Sequence, residues 1–368
     1  MHVRFLVPGN IRHSSGGNVY NARFAEGLRH LGVDVEVLAV DGSWPDASAK
    51  ERRRLGSLLG AWGTEAEITA GVVTILDGLI ACGAPAEVEY AAAARHPAWV
   101  LLHMPSPTHP DGERRALRSA AGVICTSTWA AEHVGKRHGV PGVRVALPGT
   151  DPAPVAAGSQ PPHIVAVAAL LPNKCQLLAV AALARLQELP WTASLVGTVD
   201  ADPAYAARVR AAIASHGLEH RIGLTGQLSG NSLEDEWNQA DLSLLVSRTE
   251  AFGLVVTEAL ARGIPAIVRD GTGAVEALGM GSAGQNTEAG ASEPQRAPAT
   301  IPGAAIGLAG PEESHPEALA SVVRQWLSSQ PLRTEWRTAA LAARENLPAW
   351  DATARSVLAV LAHPPRTG

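Results

Sequence analysis

The chain is poor in cysteine. Cys82, Cys125 and Cys175 are the only three in 368 residues, far apart, with no Cys-x-x-Cys pair and no histidine nearby at metal-ligand spacing. An odd, sparse set argues against a disulfide framework and for a reducing compartment, so a cytoplasmic location is expected. Strong charge of one sign is also missing. A net charge of −5 leaves no overall basic field, which disfavours nucleic acid as a partner. No apolar run approaches the roughly 18 residues needed to cross a bilayer. The opening "MHVRFLVPGN" reaches Pro-Gly after one short apolar stretch, so it reads as a strand and not as a signal peptide. A Gly-x-Gly-x-x-Gly fingerprint is absent from the first strand–helix unit. Its absence weakens a nicotinamide-dependent oxidoreductase, although Asp41 sits near the end of the second strand, where a ribose-binding acid can lie. Lysine, too, is almost absent, arginine being the usual base.

What is present is a soluble globular composition, 46% apolar and 18% charged, in a chain long enough for two cores. Short apolar runs alternate with helical patterns, which predicts parallel sheets flanked by helices. The first unit reads as strand "VRFLVP", loop "GNIRHSSGG", a helix "NVYNARFAEGLRHLG" capped by Asn18 and stopped by Gly32, and strand "VDVEVLAV". Strands "GVVTIL", "AWVLLH" and "AGVICTS" follow. After the Pro/Ala/Gly stretch "TDPAPVAAGSQPPH" a second series begins. It runs strand "IVAVAALL", helix "CQLLAVAALARLQEL", strand "TASLVG", helix "PAYAARVRAAIASHG", strand "RIGLTG" and strand "DLSLLVS". Residues 279–305 turn to Gly, Ala, Ser, Pro and Gln and read as a flexible insertion. The expected organisation is α/β, with an N-terminal domain over 1–157 and a C-terminal domain over 158–347. An amphipathic helix over 348–362 is expected to pack back on the first domain, and ligand is expected in a cleft between the two.

The segment "SRTEAFGLVVTEALARGIPAIV" keeps two glutamates, Glu250 and Glu258, among apolar neighbours. Glu250 falls on the loop leaving a buried strand, and Gly253 allows a close backbone approach. A helix opening at Leu254 presents unpaired N–H groups and a positive dipole end, suited to an anion. Glu258 lies about one turn further, and helical side chains lean toward the N-terminus, so its carboxylate can reach the same place. Carboxylates repel phosphate but accept hydrogen bonds from hydroxyls, so the set fits a sugar–diphosphate–ribose ligand. For either glutamate alone, a dipole partner or a solvated helix residue is the plainer reading.

The motif "EAFGLVVTE" (Glu-x7-Glu), followed by "ALARGIPAI", resembles the signature of retaining glycosyltransferases of family 4, which have the GT-B fold of two Rossmann-like domains facing across a cleft. The resemblance covers nearly the whole chain outside 279–305. It implies that Glu250 contacts hydroxyls of the transferred sugar, that the amides of Phe252, Gly253 and Leu254 hold a diphosphate, and that Glu258 binds ribose. "AVAALLPNKCQLLAVAALARL" is similar to the family's strand–loop–helix that supplies a diphosphate lysine, here Lys174. The pattern departs at Ala168-Ala169, where the family usually has an arginine, and at Cys175, which replaces a common glycine; Arg248 is a candidate substitute cation. "HSSGGNVY" puts Gly16 and Gly17 at the family's glycine loop, and "WVLLHMPSP" puts His103 at a family histidine facing the sugar. The implied donor is a UDP- or GDP-sugar, used without a cofactor or metal, with an acceptor the sequence does not specify. A nucleotide-sugar-binding relative without transfer activity is the alternative, motivated by Ala169.

Two further stretches have ordinary readings. Asp200 and Asp202 superficially form a metal-binding Asp-x-Asp, but Asp202 before Pro203 reads better as a helix N-cap. The stretch 50–62, "KERRRLGSLLGAW", reads as a packed amphipathic helix, with weak association to an anionic membrane surface as its alternative.

Overall fold

Apolar runs of four to seven residues, each closed by a turn, become parallel strands here because both faces of each sheet are covered and little alternation is needed. A computed structural model describes residues 1–10, 15–62, 71–282, 301–308 and 315–362. The chain divides into two units, Met1–Gly149 with Pro348–Gly368, and Thr150–Leu347.

The first unit runs β1 (His2–Pro8), α1 (Gly16–His30), β2 (Asp34–Val40), α2 (Ala49–Leu58), β3 (Val72–Asp77), α3 (Gly78–Gly83), α4 (Pro85–Ala93), β4 (Trp99–Leu102), α5 (Pro110–Ser119), β5 (Gly122–Cys125), α6 (Thr128–His138) and β6 (Arg144–Val145). Its six parallel strands lie in the order β2-β1-β3-β4-β5-β6. All four residues of β4 are buried, as befits a central strand. The helix predicted from Asn18 starts two residues earlier: Ser15 is the N-cap, accepting from the Asn18 amide at 3.1 Å, and Gly16 and Gly17 are its first residues. The cap moved because Ser15 supplies a free hydroxyl just before the first turn, whereas Asn18 is already inside it.

The second unit runs β7 (His163–Val167), a 3-10 turn at Pro172–Lys174, α7 (Gln176–Leu183), β8 (Thr192–Val196), α8 (Pro203–Ser215), β9 (Ile222–Gly226), α9 (Asn231–Gln239), β10 (Leu242–Leu245), α10 (Leu254–Leu260), β11 (Ala266–Arg269), α11 (Ala274–Gly279), β12 (Gly303–Ile306), α12 (His315–Ser328) and α13 (Gln330–Arg344). Its sheet is also parallel and six-stranded, ordered β12-β11-β10-β7-β8-β9. The fold class is therefore two Rossmann-like parallel α/β units.

Several expectations shift. The helix predicted through Leu189 ends at Leu183 and tightens into a 3-10 turn over Ala184–Leu186, where the Trp191 indole N–H takes the Leu186 carbonyl at 2.7 Å. Of the stretch read as an insertion, 283–300 lies outside the described residues. Its last residues, however, belong to edge strand β12, with Ala266 opposite Gly303. Composition missed this strand because "GAAI" carries almost no β-propensity; Gly303 is required, since a Cβ there would sit 1.8 Å from the Ala266 carbonyl oxygen. The Pro/Ala/Gly stretch from Thr150 groups with the second unit rather than the first up to 157. The Ala156 amide donates to the Arg262 carbonyl, and Ser159 N–H to Asp241.

Helix α14 (Trp350–Ala362) returns to the first unit. Gly27 of α1 lets it approach closely, since a Cβ there would lie 2.8 Å from that of Ala354. Thr353 donates to the Leu147 carbonyl at 2.7 Å, and Trp350 packs edge-on to Tyr20. Within 50–62, a Ser48–Glu51 capping box starts α2, and Leu55 and Leu59 enter the core of the first unit. Trp62 remains exposed beside Tyr90. No described helix is long and apolar enough to cross a membrane.

Candidate functional site

In an open parallel sheet, ligands bind beyond the carboxyl ends of the strands where the strand order reverses. In the second unit that point lies between β7 and β10. The loop after β7 carries Lys174 and the loop after β10 carries Glu250. The structure brings these together: Lys174 Nζ lies 2.7 Å from Glu250 Oε2, with side chains only 23% and 13% exposed. Asn173 links the same two loops. Its Oδ1 accepts from the Thr249 amide at 3.1 Å and hydroxyl at 2.9 Å, its Nδ2 donates to the Thr249 carbonyl, and its own carbonyl accepts from the Arg248 amide. Nothing in the sequence flagged Asn173.

The 247–253 loop is compressed from its other side. Gly273 N–H donates to the Glu250 carbonyl at 2.8 Å, and a Cβ on Gly273 would lie 1.7 Å from the Ala251 oxygen. Gly253 is the N-cap of α10 with φ +91°, a left-handed conformation, and a Cβ there would meet Leu245 at 2.7 Å. It has no side-chain cap; its carbonyl takes the Val256 amide at 2.9 Å, and the Leu254 and Val255 amides remain available. The Phe252 side chain is buried, which leaves only its backbone to serve a ligand, and Leu254 is half-buried.

Glu258 stands one turn along α10. Its backbone carbonyl accepts from Arg262 Nη1 at 2.9 Å, but its carboxylate has no hydrogen bond to a described residue, and its neighbours are charged: Arg262, Asp151 and Glu234. Burial pushes its carboxyl above the usual range; Arg262 opposes that, while Asp151 and Glu234 add to it. Arg262 is itself occupied, bonded to Glu234 and stacked over Trp237. A half-buried carboxyl without a hydrogen-bonding partner is a ready acceptor for a ligand hydroxyl.

Ala169 offers no cation; its carbonyl takes the Gln176 side-chain amide at 3.0 Å. Arg248 is exposed on the loop after β10. Arg269 closes β11 and reaches back over the strand ends, donating to the Val246 carbonyl at 3.1 Å, with Nη2 3.7 Å from Cys175 Sγ. Asp202 accepts from the Tyr205 amide as the N-cap of α8. Among the described residues no group of three or more His, Cys, Asp or Glu could hold a metal.

The first unit has its own cluster at the carboxyl edge. His103, just past β4, puts Nε2 2.7 Å from Asn21 Oδ1 and 3.5 Å from Asp77 Oδ2. Asn21 Nδ2 donates to Asp77 Oδ2 at 2.9 Å, and the Leu79 amide donates to Oδ1. Gly17 faces the imidazole: a Cβ there would stand 3.3 Å from Cδ2. Gly16 opens α1 beside it. Asp77 is buried, which by itself would raise its pKa. The hydrogen bond and charge of His103, with Asn21 and the Leu79 amide, hold it below the ordinary carboxylate range.

Asp77 and Arg269 were legible in principle, each being a charged last residue on an apolar strand. Asn21, Asn173 and Gly273 carry no such mark.

Two parallel α/β units, one with a cation–carboxylate pair at the switch point of its sheet, have the arrangement in which open α/β folds place their ligand sites. The family follows from direct comparison. The model described as "Glycosyl transferases group 1" matches residues 150–342, more than half of the chain, and the protein belongs to that family. A curated relative, mannosylfructose-phosphate synthase from Agrobacterium fabrum, is 36% identical over 69 residues, a stretch spanning 19% of this chain and only 15% of that protein. Among solved structures, a glycosyltransferase from Rickettsia africae superposes with a TM-score of 0.70 at 15% identity, covering 100% of this chain and 99% of the other. Sucrose-phosphate synthase from Thermosynechococcus elongatus gives 0.72 at 17% identity over 98% of each. HepE from Anabaena, in complex with UDP and glucose, gives 0.70 at 18% identity over 98% and 99%. At these identities the likeness is one of fold.

Proposed function

We propose that the protein is a retaining glycosyltransferase of family 4 that transfers a sugar from a nucleotide-diphosphate sugar to an acceptor hydroxyl without a metal. The observation that carries this reading is the Lys174–Glu250 pair, 2.7 Å apart across the two loops at the switch point of the second sheet. One member suits a diphosphate and the other a sugar hydroxyl. The resemblance assigns the remaining parts: the amides of Phe252, Gly253 and Leu254 to the diphosphate, Glu258 to ribose, Gly16 and Gly17 to the donor phosphates or the acceptor, and His103 to the sugar. A UDP- or GDP-sugar is the donor, in keeping with the UDP complex of HepE. In the retaining reaction the acceptor hydroxyl approaches the face from which the diphosphate leaves, and a phosphate oxygen takes its proton. The protein contributes positioning and stabilisation of the leaving charge through Lys174 and the α10 amides. Three buried free cysteines suit a reducing compartment, so we place the protein in the cytoplasm.

The test is release of nucleotide from UDP- and GDP-sugars in the presence of an acceptor panel. Lys174→Ala and Glu250→Ala should abolish transfer and retain the wild-type circular dichroism. Unimpaired turnover in either variant sinks the assignment. A second reading, a nucleotide-sugar-binding protein without transfer, is favoured only by Ala169 in place of the family's arginine. Tight donor binding with no nucleotide released under any acceptor would establish it.

A further inference from the structure

The hydrogen bonds around His103 constrain where its proton sits. A carboxylate can only accept hydrogen bonds, whereas a side-chain amide has one accepting and one donating end. Buried Asp77 therefore dictates which way Asn21 is turned. Asn21 must present Nδ2 to Asp77 Oδ2, at 2.9 Å, and so must present Oδ1 to His103. Oδ1 is an acceptor, and His103 Nε2 lies 2.7 Å from it. The proton of a neutral imidazole must then sit on Nε2, where the second acceptor, Asp77 Oδ2 at 3.5 Å, favours it as well. Nδ1 has no hydrogen bond to a described residue and is left with its lone pair.

We propose that Asp77, acting through Asn21, is a positioning residue that sets the tautomer of His103. It holds the proton on Nε2 and leaves Nδ1 with its lone pair. That His103 serves the sugar rests on the function proposed above; the tautomer rests on the geometry alone. The ring is held from other sides too, by Tyr20 edge-on at 5.2 Å and by the absence of a side chain at Gly17. Orientation and proton position are thus fixed before any ligand arrives, which is the usual second task of a carboxylate behind a histidine.

The discriminating substitution is Asp77→Asn. It preserves volume, and its Oδ1 can still cap α3 by accepting from Leu79 N–H. Its Nδ2 would then face Asn21, which must turn its own Oδ1 toward position 77 and its Nδ2 toward His103. Nε2 becomes an acceptor, and the proton moves to Nδ1. One isosteric change should therefore invert the tautomer two residues down the chain of hydrogen bonds.

Long-range proton–nitrogen NMR of the histidine-labelled protein, well above the ordinary imidazole pKa of about 6.5, reads the proton position directly, with His103 assigned by its absence in His103→Gln. Wild type should show Nε2–H, and Asp77→Asn should show Nδ1–H. Nδ1–H in the wild type, or Nε2–H persisting in a folded Asp77→Asn, overturns the proposal; should that variant not fold, the wild-type spectrum alone decides. Donor affinity, measured for UDP and a UDP-sugar, tests the proposed function by itself: a protein that binds no nucleotide sugar refutes that reading, and the NMR result still stands.

Discussion

Replacing Glu250 by Gln should separate donor binding from transfer in opposite directions. Glu250 lies 2.7 Å from Lys174 and neutralises it, so under the proposed function a diphosphate must compete with that carboxylate. At an effective dielectric of about 20 that separation corresponds to a gross attraction of about 6 kcal/mol. Desolvation and ordering cancel most of it, leaving roughly 1.5–3 kcal/mol for a charge-assisted hydrogen bond and about 1 kcal/mol for the neutral amide that would replace it. Lys174 is therefore released for an anion by roughly 1 kcal/mol, close to a fivefold gain in nucleotide-diphosphate affinity. Lys174→Ala removes the cation itself and should weaken the same ligand by about tenfold to a hundredfold. Isothermal titration with UDP and GDP at fixed ionic strength measures both, and nucleotide release measures transfer, which Glu250→Gln should abolish along with the proposed sugar contact. If Glu250→Gln weakens UDP, or Lys174→Ala leaves it untouched, the reasoning that these two loops form a diphosphate subsite fails.

Gly253→Ala should cost about 2–4 kcal/mol of stability, since a side chain at φ +91° adds strain to a 2.7 Å clash with Leu245; chemical denaturation measures it, and a loss under 1 kcal/mol would show that the loop yields easily. Glu258 bears on pH. Its folded-state pKa is raised, so the folded protein holds the proton more tightly than the unfolded chain, and its contribution to stability is lost as pH rises through and above the ordinary glutamate range. Glu258→Gln should remove that loss, so its stability relative to wild type should increase from pH 4 to pH 7; a constant difference refutes it. Arg95 is exposed with φ +67° just past α4, and Arg95→Gly should stabilise the first unit by roughly 1 kcal/mol, read as a rise in melting temperature.

Local pattern was enough for most of the strands. "VRFLVP", "AWVLLH" and "DLSLLVS" are apolar runs closed by turn residues, and buried parallel strands need little more. Asp202 and Pro203 announced their helix for the same reason: a cap acts on amides two and three residues away. Strand β12 was not legible, because "GAAI" becomes a strand only through the partner beside it, and the helix after Lys174 gives way at Leu183 to a 3-10 turn whose Leu186 carbonyl is taken by the distant Trp191 indole.

The sequence by itself determined the residue types of the candidate site and the loops that carry them, since Lys174, Glu250, Gly253 and His103 each follow a recognisable strand. Tertiary structure alone decided who meets whom. Lys174 and Glu250 are 76 residues apart, and Asn21, Asp77 and His103 come from three separate elements. Hydrogen bonds and ion pairs act over about 3 Å, whereas sequence pattern reports only on neighbours along one helix or strand. Partners brought together by strand order leave no mark in the chain until the sheet has formed.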